Sequence, residues 1–377
     1  MNAKERVYAA MEGKALDYYP VFAPYIHLSN ADHWETVTGE PVWKFYEWQH
    51  LQPEEHVKIY DLFWDQMPFD IFEPWCLYNS REARNAVEIV VREDGIFKHD
   101  TRDDSFERQS DDIHLGGSSG AANEERKVFT KEDVDRALEI IPAEEQLRNG
   151  TLDYLKAGIK KFGHKYFVMG GGIVNSFWGC TFYVGLTNRF VMYLDEPEFI
   201  EYLSERYLAA NLERIRAIAS TGADAMWIDD ATASSEMISL DMYTRFSLPY
   251  LKPLVKEIQK QGMKCILVYF GGVSDRVEHI LSTEPDALIV ETSMKSYVND
   301  IGKIAGQING RTCLFGNLNP YDDVEKLSED ALYAKMTAQF EAVRPYRRFV
   351  TSTGSPLTPG TPVARIRRYI EMGHQLA

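Results

Sequence analysis

The stretch TGADAMWIDDATASSEMISLDMYTRFSLPYLKPLVKEIQKQGMKCILVYFGG, residues 221–272, reads as one strand–helix–strand unit and decides the fold. An apolar run at 225–228 ends on two adjacent carboxylates, Asp229 and Asp230. Met242, Phe246, Tyr250, Leu254 and Ile258 then recur every fourth residue, which predicts a helix over 240–261. Ser239 can cap that helix, Asp241 suits its positive first turn, and Gly262 ends it. Pro249 inside it predicts a kink. A second apolar run, 265–269, leads into Phe270, Gly271 and Gly272.

The same cadence extends in both directions, with candidate strands at 18–23, 166–169, 287–290, 313–315 and 348–351. Continuous apolar runs belong to strands buried on both faces, as in parallel sheets flanked by helices. Strand–helix alternation leaves two architectures, a closed barrel or an open doubly wound sheet. No G-x-G-x-x-G opens a helix after an early strand, and Gly170–Gly172 reads as a tight turn at a strand end. The expected fold is α/β, a single (β/α)8 TIM-type barrel over 1–377, with a helical cap and a β-hairpin insertion in about 30–130. The aromatic-rich stretch 31–68 reads as the cap, 87–92 and 95–101 as the hairpin with a D-G turn, and 105–125 as a loop or lid.

Composition narrows the function. The chain has 377 residues, 26% charged and 45% hydrophobic, with a net charge of −16. Such a surface argues against nucleic acid and anionic membranes as partners. Cys76, Cys180, Cys265 and Cys313 lie far apart and form no C-x-x-C pair, so neither a disulfide framework nor a sequence-local zinc site is indicated. The charged opening segment lacks the apolar core of a signal peptide, and no apolar run is long enough to span a bilayer; a cytoplasmic protein is expected.

In such barrels the reacting groups sit at the C-terminal ends of strands. Those places hold Tyr25 and His27, Asp229 and Asp230, Tyr269 and Phe270, Glu291, Asn317 and Ser355. Side chains alternate along a strand, so at most one of the two aspartates faces the barrel axis. Glu291 follows an apolar run directly, where a carboxylate must be paired or used. Each has a plainer alternative: a loop cap for Asp229, a satisfied structural histidine for His27, a core ring for Trp178, a chain turn for Asn317.

Several segments together resemble one superfamily. NAKERVYAAMEGKALDYYPV (2–21), the segment 221–258, LVYFGG (267–272), LFGNLNP (314–320) and TSTGSPLTPGTPVARIRRYI (351–370) are similar to the uroporphyrinogen decarboxylase superfamily, across essentially the whole chain. DALIVETSMKS (286–296) resembles the cobalamin-independent methionine synthase barrel at its zinc-binding glutamate, which falls on Glu291. The resemblance implies a (β/α)8 barrel acting as a porphyrinogen decarboxylase, a corrinoid-linked methyltransferase or a methionine synthase. The decarboxylases grip substrate carboxylates with an arginine-rich motif after the first strand; here that place reads APYIHLSNADHW, without arginine. The methyltransferases hold zinc through an H-x-C pair and a late cysteine; here those places read Val268-Tyr269-Phe270 and Ser355. Zinc at the usual site is therefore not expected, and one rebuilt from Glu291 with His27, Asp229 or Asp230 is the alternative.

The resulting expectation is a methyltransferase moving a methyl group between a small methylated substrate and a corrinoid carried by a partner protein. No tightly bound cofactor is expected. Glu291, Asp229, His27 and Tyr269 are the catalytic candidates, and Tyr25, Trp178, Asp230, Asn317 and Ser355 the substrate-binding ones. The alternatives are a metal-independent decarboxylase or lyase acting on a small aromatic or heterocyclic acid, and a non-catalytic barrel subunit. A homodimer is implied by the family resemblance.

Overall fold

Eight short apolar segments pair in parallel to make the central sheet of this computed structural model, which describes residues 1–74, 78–113 and 125–376. In chain order the strands are β1 (Val21–Phe22), β2 (Ile71–Phe72), β3 (Val87–Arg92), β4 (Gly95–Asp100), β5 (Ser105–Arg108) and β6 (Phe167–Val174). Then follow β7 (Ala225–Asp229), β8 (Lys264–Tyr269), β9 (Ala287–Val290), β10 (Cys313–Phe315) and β11 (Phe349–Ser352). The sheet order is β1-β11-β10-β9-β8-β7-β6-β2, with β3-β4-β5 a separate antiparallel sheet. Asp70 spans the seam between β1 and β2: its backbone N–H donates to the Val21 carbonyl at 3.2 Å, and Val21 N–H donates to its carboxylate at 2.8 Å. The expected (β/α)8 barrel is thus the fold.

Strand pleating sorts side chains between two cores. One joins Phe22, Ile71, Phe167, Ala225, Ile266, Val268, Ala287, Ile289, Cys313, Phe315 and Val350 inside the barrel. Val7, Ala10 and Met11, from the helix Ala3–Glu12, extend that core. The alternate residues, such as Met226, Ile228, Cys265, Leu267, Tyr269, Leu288 and Val290, face the surrounding helices. Continued one step past the inner residues, this register turns Glu73, Trp227, Asp229, Phe270, Glu291 and Asn317 toward the barrel axis. Asp230 and Tyr269 turn away.

Three local expectations change. Gly170–Gly172 does not end a strand: β6 runs through it, with a register irregularity between Met169 and Gly172. A Cβ on Gly172 would stand 2.1 Å from the Trp227 ring, so the glycine makes room for an indole. The helix around Pro249 is not uniform: Leu240–Met242 passes through a wide π turn, Tyr243–Ser247, and Pro249 falls two residues after it in Leu248–Lys260. The stretch expected as loop or lid contributes a third strand, β5, and its part 114–124 lies outside the described residues, as does Cys76.

The connection from β1 to β2 folds into short helices from Ile26–Asp32 to Ile59–Gln66. Trp34, Phe45, Trp48, Tyr60, Phe63 and Trp64 pack there ring against ring and reach Phe72 and Phe162 on the barrel wall.

Candidate active site

β7 delivers Asp229 to the axis as its last residue, 8% exposed. Its carboxylate accepts from the Tyr25 hydroxyl at 2.7 Å and from Ala231 N–H at 2.7 Å. Burial pushes the Asp229 pKa up to about 6, against the lowering effect of those two donors. Tyr25 reaches this position because its backbone is left-handed, φ 56°, at the entry to the helix Ile26–Asp32. Burial and the negative field of Asp229 hold the Tyr25 hydroxyl well above its ordinary range, so it remains a donor. Its ring meets Trp227 edge-on at 5.0 Å, stacks on Phe270 at 5.7 Å and touches His27 at 5.8 Å. All four rings are half-buried, which leaves part of each facing open space.

Glu73, which the sequence reading missed, lies beneath these rings. It is 2% exposed; one carboxylate oxygen accepts from the Trp227 indole N–H at 2.9 Å and lies 3.5 Å from His27 Nδ1. Its other oxygen is buried and has no hydrogen-bond partner among the described residues. β2 has only two residues, too few to show periodicity, so nothing marked the acid after it. The available signal was the pattern Asp-Ile-Phe-Glu-Pro, an apolar pair bracketed by acids before a proline.

Glu291 is held by a second set of groups. One oxygen accepts from Ser355 at 2.9 Å; the other accepts from Gly271 N–H at 2.7 Å and from the Tyr297 hydroxyl at 2.5 Å. Gly271 turns its N–H this way at φ +94°, and a Cβ there would meet Ser234 at 2.3 Å. The Glu291 carbonyl accepts from Asn299 at 3.0 Å and Asn317 at 3.3 Å, and Gln339 donates to Asn317 at 3.0 Å. Asn317 therefore fixes the backbone that carries Glu291.

Two expected site residues, Asp230 and Tyr269, lie elsewhere. Asp230, on the outward side of β7, is fully buried and accepts from Asn175 at 2.9 Å and from Ser247 at 2.9 and 3.0 Å. It ties the end of β6 to the π turn and does not reach the mouth. Tyr269 also points outward, donating to the Ala233 carbonyl that buried Arg276 also binds. Trp178 sits in the short helix Ser176–Gly179 against Phe182 and the Arg189 guanidinium. The physical reason is the same for the first two: period-two alternation places their inward neighbours, Asp229 and Phe270, at the axis instead.

The donor set does not fit zinc. The places of the usual ligands are filled by Val268, an outward Tyr269, Phe270 and Ser355, and both Glu291 oxygens already accept hydrogen bonds. Among the described residues no three His, Cys, Asp or Glu side chains are grouped to hold a metal.

A parallel barrel with carboxyls and aromatic rings at its C-terminal mouth defines the class: a barrel of the enzyme-bearing kind, with its polar groups where such barrels react substrates. The family model "Uroporphyrinogen decarboxylase (URO-D)" matches residues 112–376, and the chain belongs to that family. Uroporphyrinogen decarboxylase of Coxiella burnetii is 24% identical over 279 residues, covering 69% of this chain and 71% of the relative. That of Chlorobium phaeobacteroides is 28% identical over 180 residues, covering 47% and 49%. Among solved structures, a methyltransferase from Methanosarcina mazei superposes with TM-score 0.68 at 18% identity, covering 99% of this chain and 98% of that one. This last likeness speaks to the fold.

Proposed function

We propose that this protein is a methyltransferase that moves a methyl group between a small methylated substrate and a corrinoid carried by a separate protein. The observation that carries the reading is the mouth itself: half-buried rings around Asp229, with no arginine or lysine paired to Glu73, Asp229 or Glu291 among the described residues. A substrate with many carboxylates needs bidentate cations to hold it, and this site would repel it. A small methylated donor without carboxylates fits the rings instead.

In the transfer, the bond between the methyl carbon and its heteroatom breaks and its electron pair stays on the heteroatom. The acceptor supplies the pair for the new bond. Asp229, which keeps its proton to about pH 6, can deliver it to the departing heteroatom or orient that atom, with the Tyr25 hydroxyl beside it. Glu291, fixed by three donors, serves as a rigid acceptor that orients the substrate. His27, at the rim beside Glu73, assists. Zinc has no part in these steps. A homodimer in the cytoplasm belongs to the same reading; no helix among the described residues is long and apolar enough to cross a membrane.

Mixing the purified protein with a cob(I)alamin carrier and a panel of methyl donors tests the proposal. Methylcobalamin should form with at least one donor, and none with any would sink it. The names of the curated relatives favour one other reading, a decarboxylase; with no cation paired to the mouth carboxyls among the described residues, its substrate would be a small aromatic or heterocyclic acid. Its mark would be carbon dioxide released without any corrinoid.

A further inference from the structure

The carboxyls around the mouth differ in what they still lack. Glu291 takes three donors, one on one oxygen and two on the other, and Glu236 takes the Gly272 N–H on both of its oxygens. Asp229 has Tyr25 and Ala231. Glu73 has the Trp227 indole on one oxygen and, among the described residues, no hydrogen-bond partner on the other, though it is 2% exposed. His27, at 3.5 Å, is beyond the 2.7–2.9 Å of a strong charge-assisted bond. A buried carboxylate without a full set of partners is costly and attracts positive charge.

Above that charge stand Tyr25, Trp227 and Phe270, each half-buried, with Trp227 seated on Gly172 and joined to Glu73 through its indole N–H. Ring faces attract a cation through their quadrupole, and quaternary ammonium groups are recognised in this way. Such a cation has no N–H to donate, so it does not need access to the enclosed Glu73 oxygen; it needs the field. A neutral methyl ether would stack on the same rings and leave Glu73 uncompensated.

We infer that the mouth formed by Tyr25, Trp227, Phe270 and Glu73 binds a methylated ammonium cation, which is the methyl donor. The word donor rests on the methyl-transfer reading above; the binding does not. A methyl group leaving such a nitrogen leaves a neutral amine holding the former C–N electron pair, so a cationic donor also suits a mouth whose described residues place no cation beside its carboxyls for an anionic leaving group.

Calorimetric titration of the full chain with choline and with dimethylbutanol, its neutral isostere in which carbon replaces nitrogen, tests this. Choline should bind more tightly by about tenfold or more. Glu73→Gln should remove that preference while leaving dimethylbutanol binding unchanged. Should that variant not fold, Phe270→Leu keeps an apolar wall and should weaken choline selectively. Equal affinity for the two compounds, or a choline preference untouched by the substitutions, would overturn the inference. Choline selectivity without any methylcobalamin formation would remove the methyl-transfer reading and keep the cation site. Methylcobalamin from a methoxy-aromatic donor with no choline preference would do the reverse.

Discussion

A carboxyl stripped of water beneath Tyr25 keeps its proton to about pH 6, and stability as well as reaction follows from that. Between its ordinary value of 3.8 and about 6, the folded chain binds a proton at Asp229 that the unfolded chain does not. Stability therefore falls as pH rises through this window, and the full cost, about 3 kcal/mol, is present above it. Asp229→Asn should raise stability by up to about that amount at pH 8 and by little at pH 4, as urea denaturation at the two pH values would show. The same change should lower methyl transfer by about 10²–10⁴-fold if the carboxyl handles the proton. Glu291→Gln should cost about 1–3 kcal/mol of stability, because an amide cannot accept from Tyr297, Ser355 and Gly271 together. Its activity should fall by about 10²-fold in kcat/KM. The two acids behave differently because one is buried with few donors and the other is saturated with them.

Elements decide which of these side chains meet. β7 carries Trp227 and Asp229 inward on alternate residues, and β6 yields space for Trp227 at Gly172. Gly172→Ala should push the indole off Glu73 and cost about 1–3 kcal/mol, read by denaturation together with a shift in tryptophan emission. The strands β7 to β11 were legible because each is built on a short apolar run, and 287–290 and 313–315 were placed residue for residue. Those runs also located Asp229, Glu291, Asn317 and Ser355. Two things were not legible. The two-residue strand β2 offers no period, so Glu73 went unseen. The loop residues that hold Glu291, Tyr297 and Asn299, look like any polar connection until the chain folds back on itself. Tyr269 was misplaced by reading the end of a strand without following its pleat.

At the scale of the molecule, the barrel closes on a buried ion pair. Arg6, from the helix Ala3–Glu12, pairs with Asp70 at 3.0 Å with both side chains 3% exposed, and His374 reaches the same carboxylate at 2.7 Å. Asp70 also holds β1 through Val21 N–H. Asp70→Ala should cost about 3–5 kcal/mol in urea denaturation, since it strands a buried guanidinium and opens the seam. Closure of the ring is what brings the hydroxyl of Tyr25, after β1, within 2.7 Å of Asp229, at the end of β7, although they are far apart in sequence. The most direct test of the account uses that assembled mouth. Wild-type protein and Asp229→Asn would be mixed with a cob(I)alamin carrier and methylated donors, and both methylcobalamin and carbon dioxide followed. Methylcobalamin should form with the wild type, about 10²-fold or more slowly with the variant, and no carbon dioxide should be released. Carbon dioxide released without corrinoid, and no methylcobalamin from any donor, would contradict it.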